Sequence, residues 1–184
     1  IPPYDIALRP LRTLLEKQET TLRGAAARAM RYLLCDSDGI KEFLKLRIHI
    51  FISKSLQRDN KSPYFWERMQ ALKVVRHVLK VDATLLPPSM VLAVCSIAVE
   101  PKEKFRTVCI ETIREIMVAN TKIAAQCDCT TALIQAIVDP ACIDMSQSLV
   151  ITLLHILDNP ATRKYIQSDL DLEQFISGFT NTET

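Results

Sequence analysis

Five apolar positions recur on one helical face four times along this chain, and nothing else in the sequence narrows the fold as far. Counted from Arg23, Arg68, Arg106 and Ser146, positions +3, +4, +7, +10 and +11 are apolar in every copy. The first copy has Ala26, Ala27, Met30, Leu33 and Leu34; the second has Ala71, Leu72, Val75, Val78 and Leu79. The third has Cys109, Ile110, Ile113, Ile116 and Met117; the fourth has Leu149, Val150, Leu153, Ile156 and Leu157. At about 100° per residue these positions form a stripe about 120° wide, the width of a buried helix face. The starts lie 45, 38 and 40 residues apart. A period of about 40 residues with one buried helix in each is the signature of stacked helical repeats.

The spacing therefore predicts an all-α fold, an armadillo/HEAT-like α-solenoid of about four stacked repeats, with residues 1–184 as a single domain. Its repeated core helices are expected at about 21–35, 64–81, 102–119 and 145–158. Only three residues are glycine, which suits helices and argues against hairpin-joined strands. Lys and Arg number 23 against 21 Asp and Glu, for a net charge of +2. That balance excludes a strongly basic nucleic-acid or membrane-surface protein. No apolar run approaches the roughly 18–20 residues that span a bilayer. The chain opens on Ile1 with no secretory signal and reads as an excised piece of a longer soluble protein.

Between the phrases the reading is helix, turn, helix. A first helix is expected over 9–18, with Pro10 in its opening turn, and Thr20 or Thr21 as the cap of the next. Asp36-Ser37-Asp38-Gly39 is turn chemistry, and 40–56 holds one or two helices. The polar run 58–63 is the expected mobile loop. Pro87-Pro88 opens an apolar helix through Val99, and Pro101 opens the third phrase. Short helices follow over 120–127, 130–138, 161–166 and 171–179, with Asp158-Asn159-Pro160 stopping the fourth phrase.

The phrase also carries arginines in register: Arg23, Arg68 and Arg106 at the start, and Arg31, Arg76 and Arg114 eight residues on. The starting position falls inside the apolar stripe at a helix N-terminus, where the dipole and desolvation both disfavour a cation. Such an arginine requires a carboxylate or carbonyl partner, for which the adjoining repeat is best placed. The +8 position falls at the edge of the stripe, where the stem packs and the head reaches solvent. Two readings follow: an inter-repeat ladder, or a basic stripe for phosphate-bearing ligands or acidic partners. The fourth phrase, with Ser146 and Leu154, ends either pattern.

Catalytic constellations are not in evidence. The chain has no Gly-rich phosphate loop, no Gly-x-Ser-x-Gly elbow and no His-Glu-x-x-His motif. His77 and His155 project away from the core and lack a partnered nucleophile. Cys35, Cys95 and Cys109 read as small hydrophobes in a reducing compartment. Cys127, Cys129 and Cys142 offer three thiols without a fourth ligand at a recognised spacing, so no metal and no other cofactor is expected. The sequence reads as a non-enzyme. Trp66 recurs in no other phrase, which argues against the tryptophan–asparagine ladder of importin-like armadillo proteins. It reads as a core or inter-repeat anchor, with an exposed partner-binding anchor as the alternative.

Beyond the repeat, ERMQALKVVRHVLKVDATLLPPSM (67–90) and LLHILDNPATRKYIQSDLDLEQF (153–175) resemble the N-terminal helical-repeat region of the Rictor family, the scaffold subunits of TOR complex 2. RAMRYLLCDS (28–37) and FRTVCIETIREIM (105–117) fit in the same order. Loop 57–64, the Cys127–Cys129 segment and parts of 38–56 depart from the animal members, as in a distant, for instance fungal, homologue. The resemblance implies a noncatalytic scaffold that packs with the TOR kinase and the CRIM-domain subunit. It implies a role in phosphorylation of AGC-family kinases, in growth and actin signalling. It also implies a cytoplasmic protein, brought to membranes through the assembled complex and not inserted in them, with no nucleic-acid partner. No catalytic residue transfers with it. Interface candidates rest on the residues themselves: the arginine register, Trp66, the 57–65 loop, and Arg163 and Lys164 in the 161–165 helix.

Overall fold

The structure, a computed structural model, describes residues 3–166. Among these the chain folds into eleven α-helices: α1 (Tyr4–Leu15), α2 (Thr20–Leu33), α3 (Ser37–Lys45), α4 (Ile48–Leu56), α5 (Phe65–Asp82), α6 (Pro88–Ala98), α7 (Arg106–Ala119), α8 (Thr121–Gln126), α9 (Cys129–Val138), α10 (Ile143–Asp158) and α11 (Pro160–Ile166). Single 3-10 turns at Ser62–Tyr64, Ala83–Leu85 and Pro140–Cys142 lead into or out of the longer helices. The helix expected over 171–179 lies outside the described residues.

The repeated stripe decides how these helices stack. Each of its positions is buried except Leu33, Val150 and Leu157, which are half-buried. The four helices that carry it, α2, α5, α7 and α10, form one layer, in which α2 packs on α5, α5 on α7 and α7 on α10. A second layer covers the stripe: α1 packs on α2, α4 on α5, α6 on α7 and α9 on α10. The cover helices also stack on one another, α1 on α4, α4 on α6 and α6 on α9, so each helical hairpin closes the core of the next. The chain is an all-α helical-repeat solenoid with a continuous apolar interior from Leu8 to Ile166.

Local chemistry sets the corners. Asp36 caps α3 by accepting from the Gly39 amide at 2.9 Å, and Asn120 caps α8 by accepting from Ile123 at 3.2 Å. The side chains of Asp82, Asp139 and Asn159 each accept from the amide two residues on, closing a tight turn between helices. Arg47 and Asp128 take left-handed backbone at the matching α3–α4 and α8–α9 corners, with φ of 56° and 59°.

Several boundaries differ from the sequence reading, each for a local reason. The first helix starts at Tyr4, behind Pro3, and carries Pro10 in its interior. Pro10 and Ile6 both face solvent, where water can serve the carbonyl that a proline leaves unbonded. Neither Thr20 nor Thr21 caps α2: the helix starts at Thr20 with Glu19 in the cap position, and the Thr20 hydroxyl donates to Glu67 at 2.8 Å. The third core helix starts at Arg106 and not near 102; residues 102–105 form a turn that presents Glu103 and Phe105 to the preceding repeat. The expected mobile loop is fastened: the Asn60 side chain donates to the Lys102 carbonyl at 2.9 Å and accepts from Arg68 at 3.2 Å. Helical turns from Pro140 to Asp158 run together for 19 residues, long and apolar enough to cross a bilayer by length and composition. Leu149, Leu153 and Ile156 in that run are instead buried in the solenoid core.

Candidate inter-repeat interface and basic groove

The three starting arginines occupy three successive joints of the solenoid. Arg23 in the first turn of α2 is 3% exposed, and Arg68 in the first turn of α5 is 1% exposed. Arg23 donates from Nε and Nη2 to the two carboxylate oxygens of Glu67 at 2.6 and 2.8 Å, and from Nη1 to the Lys17 carbonyl at 2.8 Å. Glu67 is fully buried and also accepts from Thr20, while Arg58 Nε stands 3.5 Å away. Burial acts to raise the Glu67 pKa, but the hydrogen bonds from Arg23 and Thr20 outweigh it and hold the carboxyl below its ordinary value.

The next two joints repeat one pattern. Arg68 donates from Nε to the Leu56 carbonyl at 3.1 Å and from Nη2 to both oxygens of Glu103 at 2.8 Å. Arg106 donates from Nε to the Ala98 carbonyl at 3.0 Å and from Nη2 to Asp139 at 2.6 Å. Leu56 and Ala98 end α4 and α6, so each guanidinium meets the negative end of its own repeat's cover helix. The carboxylate comes from the segment leading into the next repeat. A cation disfavoured at the start of one helix is thus held by the end of a second and by an acid near the start of a third. Arg68 also lies 5.3 Å from the Phe105 ring, which stacks on Phe65 at 5.0 Å between centroids.

The +8 arginines fall in three different settings. Arg76 donates to Thr112 at 2.6 Å and to Glu115 at 2.8 Å, joining α5 to α7. Arg114 pairs with Glu111 one turn back on its own helix. Arg31 lies 5.4 Å from the Tyr32 ring, and its buried Nε has no hydrogen-bond acceptor. Arg31 and Arg76 share one open groove of about 500 Å³ with Lys73, His77, Leu79, Lys80, Glu115 and Ala119. Arg114 does not line it, so the three arginines do not form one stripe. His77 contributes to stacking, its Nε2 lying 2.6 Å from the Leu34 carbonyl at the end of α2.

Trp66 sits in the first turn of α5, 36% exposed, with its ring edge against Gly24 of α2. A Cβ on Gly24 would stand 2.3 Å from Trp66 Cζ3, closer than any real contact. Gly24→Ala is therefore expected to displace the ring and destabilise the α2–α5 joint by about 1–3 kcal/mol. Because Trp66 is the sole tryptophan, intrinsic fluorescence reports the change as a red-shifted emission; an unshifted spectrum would contradict this packing. Arg163 and Lys164 are exposed on α11, where the Lys164 ammonium lies 4.9 Å from the Tyr165 ring. Neither joins the groove.

Five of the six thiols are buried and placed for packing, while Cys35, read from the sequence as a small hydrophobe, is exposed just past the end of α2. Burial pushes the Cys109 thiol up to about 12, and a hydrogen bond with Cys95, 3.1 Å between sulfurs, raises that of Cys129 together with burial. Such thiols carry little thiolate at neutral pH. Among the described residues no three His, Cys, Asp or Glu side chains converge on a metal position.

Glu67, Glu103, Asp139 and Asn60 are the joint residues that the repeat pattern does not reveal. The acids stand one, three and seven residues before their phrase starts, so no fixed offset marks them. Only the demand of the buried arginines for a partner pointed to their existence.

Fold and joints together define an α-solenoid of the armadillo/HEAT kind, with repeats fastened by buried and half-buried ion pairs and a laterally open basic groove. The chain belongs to the Rictor family: it matches the family described as "Rapamycin-insensitive companion of mTOR, N-term" over residues 3–184. It is 36% identical to "Protein pianissimo A" of Dictyostelium discoideum over 176 residues, covering 96% of this chain and 15% of that protein. It is 29% identical to "Rapamycin-insensitive companion of mTOR" of Homo sapiens over 183 residues, covering 97% of this chain and 10% of that protein. Similarity extends to "Target of rapamycin complex 2 subunit TSC11" of Saccharomyces cerevisiae, at 26% identity over 174 residues, covering 95% and 12%. The chain thus spans 10–15% of the length of these relatives.

Proposed function

We propose that this chain is a noncatalytic scaffold segment that helps assemble TOR complex 2. Family membership carries the reading, since the match runs nearly end to end and one relative is named as a subunit of that complex. The fold supports it physically. A solenoid contributes extended surface on both layers, and here buried Arg23 and Arg68 are used to join repeats. Within this proposal the segment packs with the TOR kinase and the CRIM-domain subunit. The assembled kinase phosphorylates AGC-family kinases in growth and actin signalling. The protein works in the cytoplasm and reaches membranes through the complex. Ile143, Ile151 and Leu154 leave an apolar face exposed on α10, a surface suited to a protein partner.

Deletion of residues 3–166 from the full-length protein tests the assignment. The expected result is loss of TOR kinase from the purified complex, with the remaining domains still expressed and soluble. A complex of unchanged composition would contradict it.

A further inference from the structure

The joints absorb most of the arginine register, and what remains over is the groove between α2, α5 and α7. Lys73, Arg76, His77 and Lys80 recur at helical spacing along one face of α5, and Arg31 faces them from α2. Four cations therefore line the groove against a single carboxylate, Glu115, in a chain whose net charge is only +2. Arg31 keeps an unpaired, buried Nε there, and Lys73 and Lys80 are exposed and appear in no ion pair among the described residues. A concentration of unmatched charge in a concave site draws an oppositely charged partner and sets its register.

We infer that this groove docks an acidic, extended segment of a partner protein, in which carboxylates flank an apolar side chain. Two features favour such a segment over a phosphate-bearing small ligand. Leu79 and Ala119 supply an apolar part of the lining, from which an apolar side chain gains and a phosphate does not. Glu115, held by Arg76 at 2.8 Å, stands inside the lining and repels a dense polyanion more than carboxylates spread along a chain. The dimensions agree: Lys73 to Lys80 spans about 10 Å of helix, between the roughly 7 Å and roughly 14 Å that separate same-face residues two and four apart in an extended segment. The flexible lysine stems take up the difference. Side chains of an extended strand alternate between faces, so acids can meet the lysines while the residue between them faces elsewhere in the groove. The partner that the inference requires is the one implied by the scaffold reading, on which it rests.

The test is titration of the protein with a fluorescein-labelled eight-residue peptide in which Asp and Glu surround a central Leu, read by anisotropy. Saturable binding is expected to weaken by about tenfold or more in the double variant Lys73→Glu, Lys80→Glu, whose far-UV spectrum should be unchanged because both side chains are exposed. The control variant Lys41→Glu, Lys45→Glu, which reverses two exposed lysines on α3, should bind as the parent does. Equal weakening in both variants, or absence of saturable binding, would overturn the inference. So would saturable binding of inositol hexakisphosphate, lost in the groove variant, by a protein that leaves the peptide unbound. If the peptide fails while deletion of the segment still removes TOR kinase from the complex, the groove is refuted and the scaffold reading stands.

Discussion

Glu67→Ala should lower the stability of the domain by about 3–5 kcal/mol, the cost of leaving a buried charge without its partner. Glu67 is fully buried, and its removal strands Arg23, itself 3% exposed, with only backbone carbonyls for company. The loss falls on the most extensive helix contact in the solenoid, α2 against α5. Unfolding in denaturant at neutral pH measures it. The pH dependence follows from the lowered pKa of the carboxyl. A depressed folded-state pKa gives stability that is full above the unfolded value of about 4.3 and is lost as pH falls through the folded one. The penalty of Glu67→Gln should therefore be constant between about pH 6 and 8 and shrink below about pH 4. A penalty that grows on acidification would contradict the ion pair.

Arg68→Ala should be of similar size, about 3–5 kcal/mol, and its effects should reach further along the chain. One guanidinium holds the end of α4 through Leu56, the 58–63 loop through Asn60, and the approach to α7 through Glu103. It also covers Phe105, which is 7% exposed and stacks on Phe65. Truncation removes all four contacts and leaves Glu103 without its bidentate partner. Amide hydrogen exchange should accelerate on both sides of the joint, in the last turn of α4 and the first of α7, while α1 and α11 change little. Faster exchange confined to α5 would show that Arg68 stabilises its own helix and does not couple repeats.

How much of this was legible in the sequence differs between the core and the joints. The apolar stripe was readable because it obeys the 3.6-residue period of the helix, so spacing alone put Ala71, Val75 and Val78 inside. Helix starts were less readable. Pro10 and Pro101 both looked like first-turn prolines, yet one lies inside α1 and the other in the turn before α7. Proline states where an amide is missing and leaves open whether solvent or a helix start makes that tolerable. The arginines were visible as a register and their need for partners followed from the helix dipole. Their partners were not visible, because Glu67, Glu103 and Asp139 are brought to the joints by turns of unequal length. The groove was hidden for the same reason. Arg31 and Lys73 are 42 residues apart, and only stacking sets them side by side.

The starting arginines are bonded as fasteners between repeats and not laid out as a binding stripe. Thermal unfolding of Arg68→Ala, run beside capture of TOR kinase by the full-length variant, tests this most directly. The predicted result is a Tm lowered by about 6 °C or more, the shift that a loss of 3–5 kcal/mol brings to a domain of this size, with kinase capture falling only as the fold is lost. An unchanged Tm with kinase capture abolished would contradict it, and would make Arg68 a contact residue.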